Sequence, residues 1–164
     1  MVVLNKNRRY VLSTLIAIAV SGCASTPTPV SISQTLANTP SLSTLNDLVI
    51  KTGLAPTLEG PGPFTVFAPN NDAFKAVPAK TMEALAADPA RLKDVLTFHV
   101  LPGKTASVDV KNSSVKTVNG ANVALSKAGT FVTIEDAVVK TADVEATNGV
   151  IHVIDTVLIP PVRR

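Results

Sequence analysis

Gly62-Pro63-Phe64-Thr65-Val66-Phe67-Ala68-Pro69-Asn70-Asn71-Asp72-Ala73-Phe74 is the stretch that decides how the rest of the chain is read. Phe64 to Ala68 carries no charge and predicts a short buried strand. Pro61 and Pro63 before it and Pro69 after it mark the ends, because proline cannot donate to a sheet ladder. Asn70-Asn71-Asp72 then offers side-chain oxygens to the free N–H groups at a helix start, so a short helix carrying Ala73 and Phe74 follows. A buried strand running into a capped helix means a packed domain.

Outward from that stretch, the helical signals come first. Thr39-Pro40 reads as an N-cap with proline at the first helical position, and Leu42, Leu45, Leu48 and Val49 recur at helical spacing up to Gly53, a plausible stop. Met82, Leu85 and Ala86 mark another helical face. Asp88-Pro89 repeats the cap-plus-proline device, with Leu92, Val95 and Leu96 as the inner stripe of a helix ending near Thr97. Leu101-Pro102-Gly103 then turns the chain.

The period changes in the second half. Val115, Thr117, Val123 and Leu125 alternate around Asn119-Gly120, a strong hairpin signal. Phe131 to Ile134 and Ala137 to Lys140 predict short strands, and Asn148-Gly149 turns into Val150-Ile151-His152-Val153-Ile154. Helices first and strands second predict an α+β domain with antiparallel strands, without a repeat or a second domain.

The N-terminus reads as an address. Residues 1–22 hold a basic start (Lys6, Arg8, Arg9) and an apolar run from Tyr10 to Val20, too short to span a hydrocarbon core of ~30 Å. Val20-Ser21-Gly22-Cys23 is similar to a bacterial lipobox. Cys23 is thus the expected lipidation site and first mature residue, anchoring the chain to a membrane; Ala24 rather than Asp implies outer-membrane sorting where that pathway operates. Arg8-Arg9 leaves twin-arginine and general export both open. Residues 23–31 form a Ser/Thr/Pro-rich tether; at ~3.1 Å per residue, Ala24 to Ser31 reaches about 25 Å.

Composition excludes several functions. The 164-residue chain has 15 basic and 12 acidic residues, and removing the leader leaves 12 against 12, so no nucleic-acid footprint survives. One Cys rules out an internal disulfide, and two His leave little material for metal or acid–base chemistry. No metal, cofactor or catalytic residue is predicted. Gly60-Pro61-Gly62-Pro63 lacks the backbone donors a phosphate loop needs.

The opening stretch resembles the first conserved block of the fasciclin (FAS1, beta-Ig-H3) family. Asn148 to Asp155, through Ile159-Pro160, resembles the second, and Phe98-His99 stands where the family has a Tyr-His pair. The similarity covers residues 32–160, leaving 161–164 as a tail. It implies a compact wedge of two β-sheets packed with a layer of short α-helices. It also implies an exported, non-enzymatic adhesion module on the cell envelope or surface, meeting protein or polysaccharide partners. Thr65, Phe67, Pro69, Asn70, Asp72, Phe74, His99, Asn148, Gly149, His152 and Asp155 carry the resemblance as structural residues. Animal members are linked to partner contacts around the Tyr-His pair and an Asp-Ile element; here these map to Phe98, His99, Asp143 and Val144, with Phe98 lacking the hydroxyl and Glu145 adding a charge. His99 and His152 are expected to be hydrogen-bonded structural residues. An alternative function is binding of an apolar small ligand, a lipid or carotenoid, in a continuous apolar cavity.

Overall fold

The computed structural model describes residues 30–161. The leader, Cys23 and most of the tether lie outside the described residues, as do 162–164. The helices come first: α1 (Ile32–Asn38), a 3₁₀ turn (Pro40–Leu42), α2 (Ser43–Lys51) and α3 (Ala55–Leu58). Strand β1 (Phe64–Pro69) follows, then α4 (Asn71–Ala76), α5 (Ala79–Ala87) and α6 (Pro89–Phe98). The remaining strands are β2 (Val100–Pro102), β3 (Ser113–Lys116), β4 (Asn122–Ala128), β5 (Phe131–Ile134), β6 (Ala137–Ala146) and β7 (Gly149–Ile154).

The strand order is β2-β1-β7-β6-β5-β4-β3. Strand β6 joins two sheets: Ala137 and Val138 pair with β5, while Val139 to Ala146 pair with β7 through two register shifts. The Val118 N–H donates to Val100 O at 2.8 Å, so the two ends of the order nearly meet and the strands approach a barrel. The fold is α+β, with helices covering one face of the sheet that contains β1 and β7.

Strand β1 is uncharged and, but for Thr65, apolar, in keeping with burial on both of its faces. Val66 and Ala68 pack with Leu36, Leu45, Val49 and Leu96 in the helical core, whereas Phe67 packs with Val123, Ile134 and Ile154 inside the β half. A period of two thus divides one strand between two cores.

Local chemistry sets several boundaries where the residue types predict them. The Asn70 carboxamide accepts the Ala73 N–H at 2.7 Å, and Asp88 accepts those of Ala90 and Arg91. Gly53 closes α2 at φ +66°, a conformation that costs glycine little.

Three expectations are corrected. Thr39 holds the N-cap position with Pro40 first in line, but of a 3₁₀ turn (Pro40–Leu42) and without a side-chain cap: its hydroxyl donates to Thr35 O, and the Thr44 N–H at the start of α2 is taken by Asn71 from α4. Residues 30 and 31 are folded rather than tether: the Thr147 N–H donates to Val30 O, and Ser31 with Gln34 forms a capping box at α1. The sheet is also not wholly antiparallel. β1 and β7 pair in parallel, Phe64 opposite Gly149 and Pro69 opposite Ile154. About 80 residues separate the two strands, so no hairpin constrains their direction.

Candidate partner-contact site

The second register shift in β6 brings Asp143 to φ +57°, a left-handed conformation uncommon for any residue but glycine. The surroundings hold it there. The Asp143 N–H donates to His152 Nδ1 at 3.2 Å, and its carboxylate accepts the Ser107 N–H at 2.7 Å and the Ser107 hydroxyl. Partial desolvation raises the Asp143 carboxyl; the Ser107 hydroxyl and N–H, with the nearby Lys104 charge, outweigh it and leave the carboxyl below its ordinary value. Asp143 is exposed, and Val144 is half-buried against the helical core.

His152 is fully buried against the Phe67 ring, with centroids 5.2 Å apart. Its Nδ1 receives an N–H, so Nε2 bears the hydrogen and donates to Thr105 O at 2.9 Å. Thr65, also buried, donates to Gly103 O and accepts the Thr105 N–H. One buried threonine and one buried histidine therefore fix the loop that carries Ser107 toward Asp143. Val108, the next residue, is 74% exposed. Sequence reasoning missed Thr105, Ser107 and Val108 because Ser107 and Asp143 lie 36 residues apart and no local pattern links them.

Phe98 and His99 do not join this surface. They are 3% and 2% exposed, and Phe98 packs inside the β half. The reason is position: both stand at the end of α6, where the chain enters β2 and pairs alongside β1, the Phe67 N–H donating to His99 O. His99 is a hydrogen-bonded structural residue, with Nδ1 2.8 Å from Val95 O and Nε2 accepting the Leu158 N–H at 3.0 Å.

The remaining motif residues have structural roles. Asn148 donates to Leu58 O and Gly60 O and accepts the Ile32 N–H, joining α1, α3 and the β6–β7 turn. A Cβ on Gly149 would lie 2.0 Å from Phe64 O, and one on Gly62 would lie 2.0 Å from Asn148 O, so β1 and β7 can start side by side only with glycine at both places. The Asp155 carboxylate accepts the Val138 N–H and pairs with Lys140 at 3.2 Å. Partial desolvation raises this carboxyl too, and those two partners together with Thr156 bring it below its ordinary value. Asp72 pairs with Lys75 on the exposed face of α4.

Among the described residues, the apolar cavity lined by Leu36, Val49, Leu58, Val66 and Val100 has about 30 Å³, room for a water-sized group and not for a lipid or carotenoid. No set of three or more His, Cys, Asp or Glu among them is placed to hold a metal, and no helix among them is long and apolar enough to cross a membrane.

A sequence model of the family described as the fasciclin domain matches residues 40–160. The chain is 41% identical over 145 residues to protein sll1483 of Synechocystis sp., covering 87% of this chain and 81% of that one. It is 34% identical over 150 residues to the cell surface glycolipoprotein MPB83 of Mycobacterium bovis, covering 88% of this chain and 66% of that one. Its fold is similar to that of a FAS1 domain pair from the insect cell adhesion molecule fasciclin I, at a TM-score of 0.64 and 19% identity. That likeness covers 80% of this chain and 51% of the insect chain, so one domain here matches about half of the pair.

Proposed function

The chain belongs to the fasciclin domain family, and from that premise we propose that it is an exported adhesion module, held to the cell envelope by lipid on Cys23 and meeting protein or polysaccharide partners. The domain organisation that goes with this reading is a leader over 1–22, an anchored tether, the fasciclin domain to 160 and a short tail. Because Val30 and Ser31 belong to the fold, the proposed tether ends at residue 29. A relative named as a cell surface glycolipoprotein supports an envelope location, and the residue type after Cys23 favours the outer membrane.

The observation that carries the reading is the Asp143 clasp. A carboxylate is held at the surface, in a strained backbone conformation, by a buried histidine and by a loop whose next residue is an exposed valine. Strained backbone held firmly by its surroundings is characteristic of recognition sites. Asp143, Val144, Ser107 and Val108 form the proposed contact surface, small and of modest single-site affinity. Density on a membrane then raises avidity by ~10²–10⁴. Binding rather than catalysis is favoured because both histidines have both ring nitrogens committed to backbone partners.

The test compares capture of cells or matrix by beads bearing sparse or dense protein, at low and high salt, with Asp143→Ala alongside. Density-dependent, salt-tolerant binding that falls in the variant is expected. Binding indifferent to density but abolished by salt defeats the proposal.

A further inference from the structure

The segment after β7 is neither helix nor strand, yet Val157 and Leu158 are buried at 7% and 4% exposure before Ile159 emerges at 55%. It crosses between two open clefts. One of about 380 Å³ is bordered by Leu85, Asp94 and Ile159; the other, of about 480 Å³, by Phe98, Asp136 and Leu158. Thr156 to Ile159 border the larger cleft and Ile159 also borders the smaller, while Asp155 stays hinged to Val138 and lifting the segment would withdraw Val157 and Leu158 from the two cores.

We infer that residues 155–159 form a strap latched by His99, which holds the Leu158 N–H while its ring is neutral and releases it when the ring is protonated. The geometry is that of a one-way latch. A carbonyl only accepts, so the hydrogen on the His99 ring lies at Nδ1, toward Val95 O. Nε2 is then the acceptor for Leu158 at 3.0 Å. A second proton would set N–H against N–H at that distance and place a charge among Leu45, Val49, Leu54, Val66 and Leu96. That apolar lining contains no counter-charge.

The charged groups on neighbouring elements do not supply one. Asp155, on the strap, is committed to Val138 and Lys140; Glu135 and Asp136 border the larger cleft, and Arg91 and Asp94 the smaller. None of them acts on the His99 ring. Burial lowers its pKa, the Val95 carbonyl opposes this, and the result moves from 6.5 to about 4. For a base shifted downward, the closed form is fully favoured above pH 6.5 and loses that advantage as the pH falls toward 4. The opening constant then rises about tenfold per pH unit, to a total near 300-fold.

The experiment follows amide hydrogen exchange in the ¹⁵N-labelled full chain between pH 6.5 and 4.5, corrected for intrinsic rates. Protection of the Leu158 amide should fall about 40-fold while that of Ile151, in the middle of β7, holds. His99→Gln, whose side-chain carbonyl accepts an N–H without titrating, should remove the pH dependence at Leu158. Parallel loss at Leu158 and Ile151, or a flat Leu158 profile, overturns the latch. Should His99→Gln fail to fold, ring ¹⁵N shifts of the unmodified protein decide: Leu158 opening must track His99 protonation, and a separation of the two curves overturns the proposal.

Discussion

Asn148 accepts the backbone N–H of Ile32 at 3.0 Å, across 116 residues of chain. The same side chain donates to Leu58 O and Gly60 O. One residue in the last turn thus holds the first helix and the lead-in to the first strand.

Asn148→Ala should cost about 2–3 kcal/mol, because it leaves a partly buried N–H and two carbonyls without this partner. Urea melts measure the loss, and exchange at the Ile32 amide should rise by more than exchange at Ile134. A midpoint equal to that of the parent would show that water replaces the carboxamide without penalty.

Gly149→Ala should be more damaging than its size suggests. The added methyl meets a strand carbonyl at 2.0 Å, and backbone within the β1–β7 ladder cannot yield as a flexible side chain can. Gly103→Ala is the comparison: nothing lies within 4 Å of its Cβ, and only the positive φ opposes it, at about 1–3 kcal/mol. Expression yield and melting temperature of the pair should rank Gly149→Ala well below Gly103→Ala. The reverse ranking contradicts the close-approach argument.

Ser107→Ala should loosen the proposed contact surface without unfolding the domain. It removes the hydroxyl donor to Asp143 and keeps the N–H donor. The Asp143 carboxyl should titrate at higher pH in this variant, read from its carboxyl carbon shift. Cell or matrix capture should fall less than with Asp143→Ala. An unmoved Asp143 titration would mean that the hydroxyl plays no electrostatic part.

Acid should weaken the domain in a window set by two carboxylates. The folded Asp143 and Asp155 carboxyls titrate below the ordinary value of 3.8, so their contribution is present above that pH and is lost as the pH falls through their folded values. Stability measured at pH 5 and pH 3 should differ less in Asp155→Asn than in the parent. Equal differences would indicate that the Val138 and Lys140 partners hold the protonated and ionised forms alike.

Anchoring has a direct readout. Intact mass of the membrane-extracted protein should begin at Cys23 and carry acyl chains, and Cys23→Ser should shift the protein to the soluble fraction. A soluble parent with a free thiol on an uncut chain contradicts the anchor.

Much of the fold is legible in single stretches of the chain. The burial of Phe64 to Ala68, the Asn70 and Asp88 caps, the Gly53 stop and the Asn119-Gly120 hairpin follow from donors, acceptors and allowed φ within a few residues, so local sequence suffices. Helix α1 was equally legible in Ser31-Ile32-Ser33-Gln34, whose capping-box spacing is hidden by the tether composition just before it. Thr39 shows the limit of such signals: its hydroxyl finds Thr35, and α2 takes its N-terminal acceptor from Asn71 on another helix.

Sequence by itself determined the fold class, the family motifs and the residues whose chemistry must be satisfied inside. Tertiary structure decided the direction of β7 beside β1, the burial of Phe98 and His99, and the clasp of Ser107 and His152 on Asp143. The physical reason is range. Caps, turns and strand periodicity are settled by groups a few bonds apart, whereas exposure and pairing depend on which distant segment arrives to compete with water.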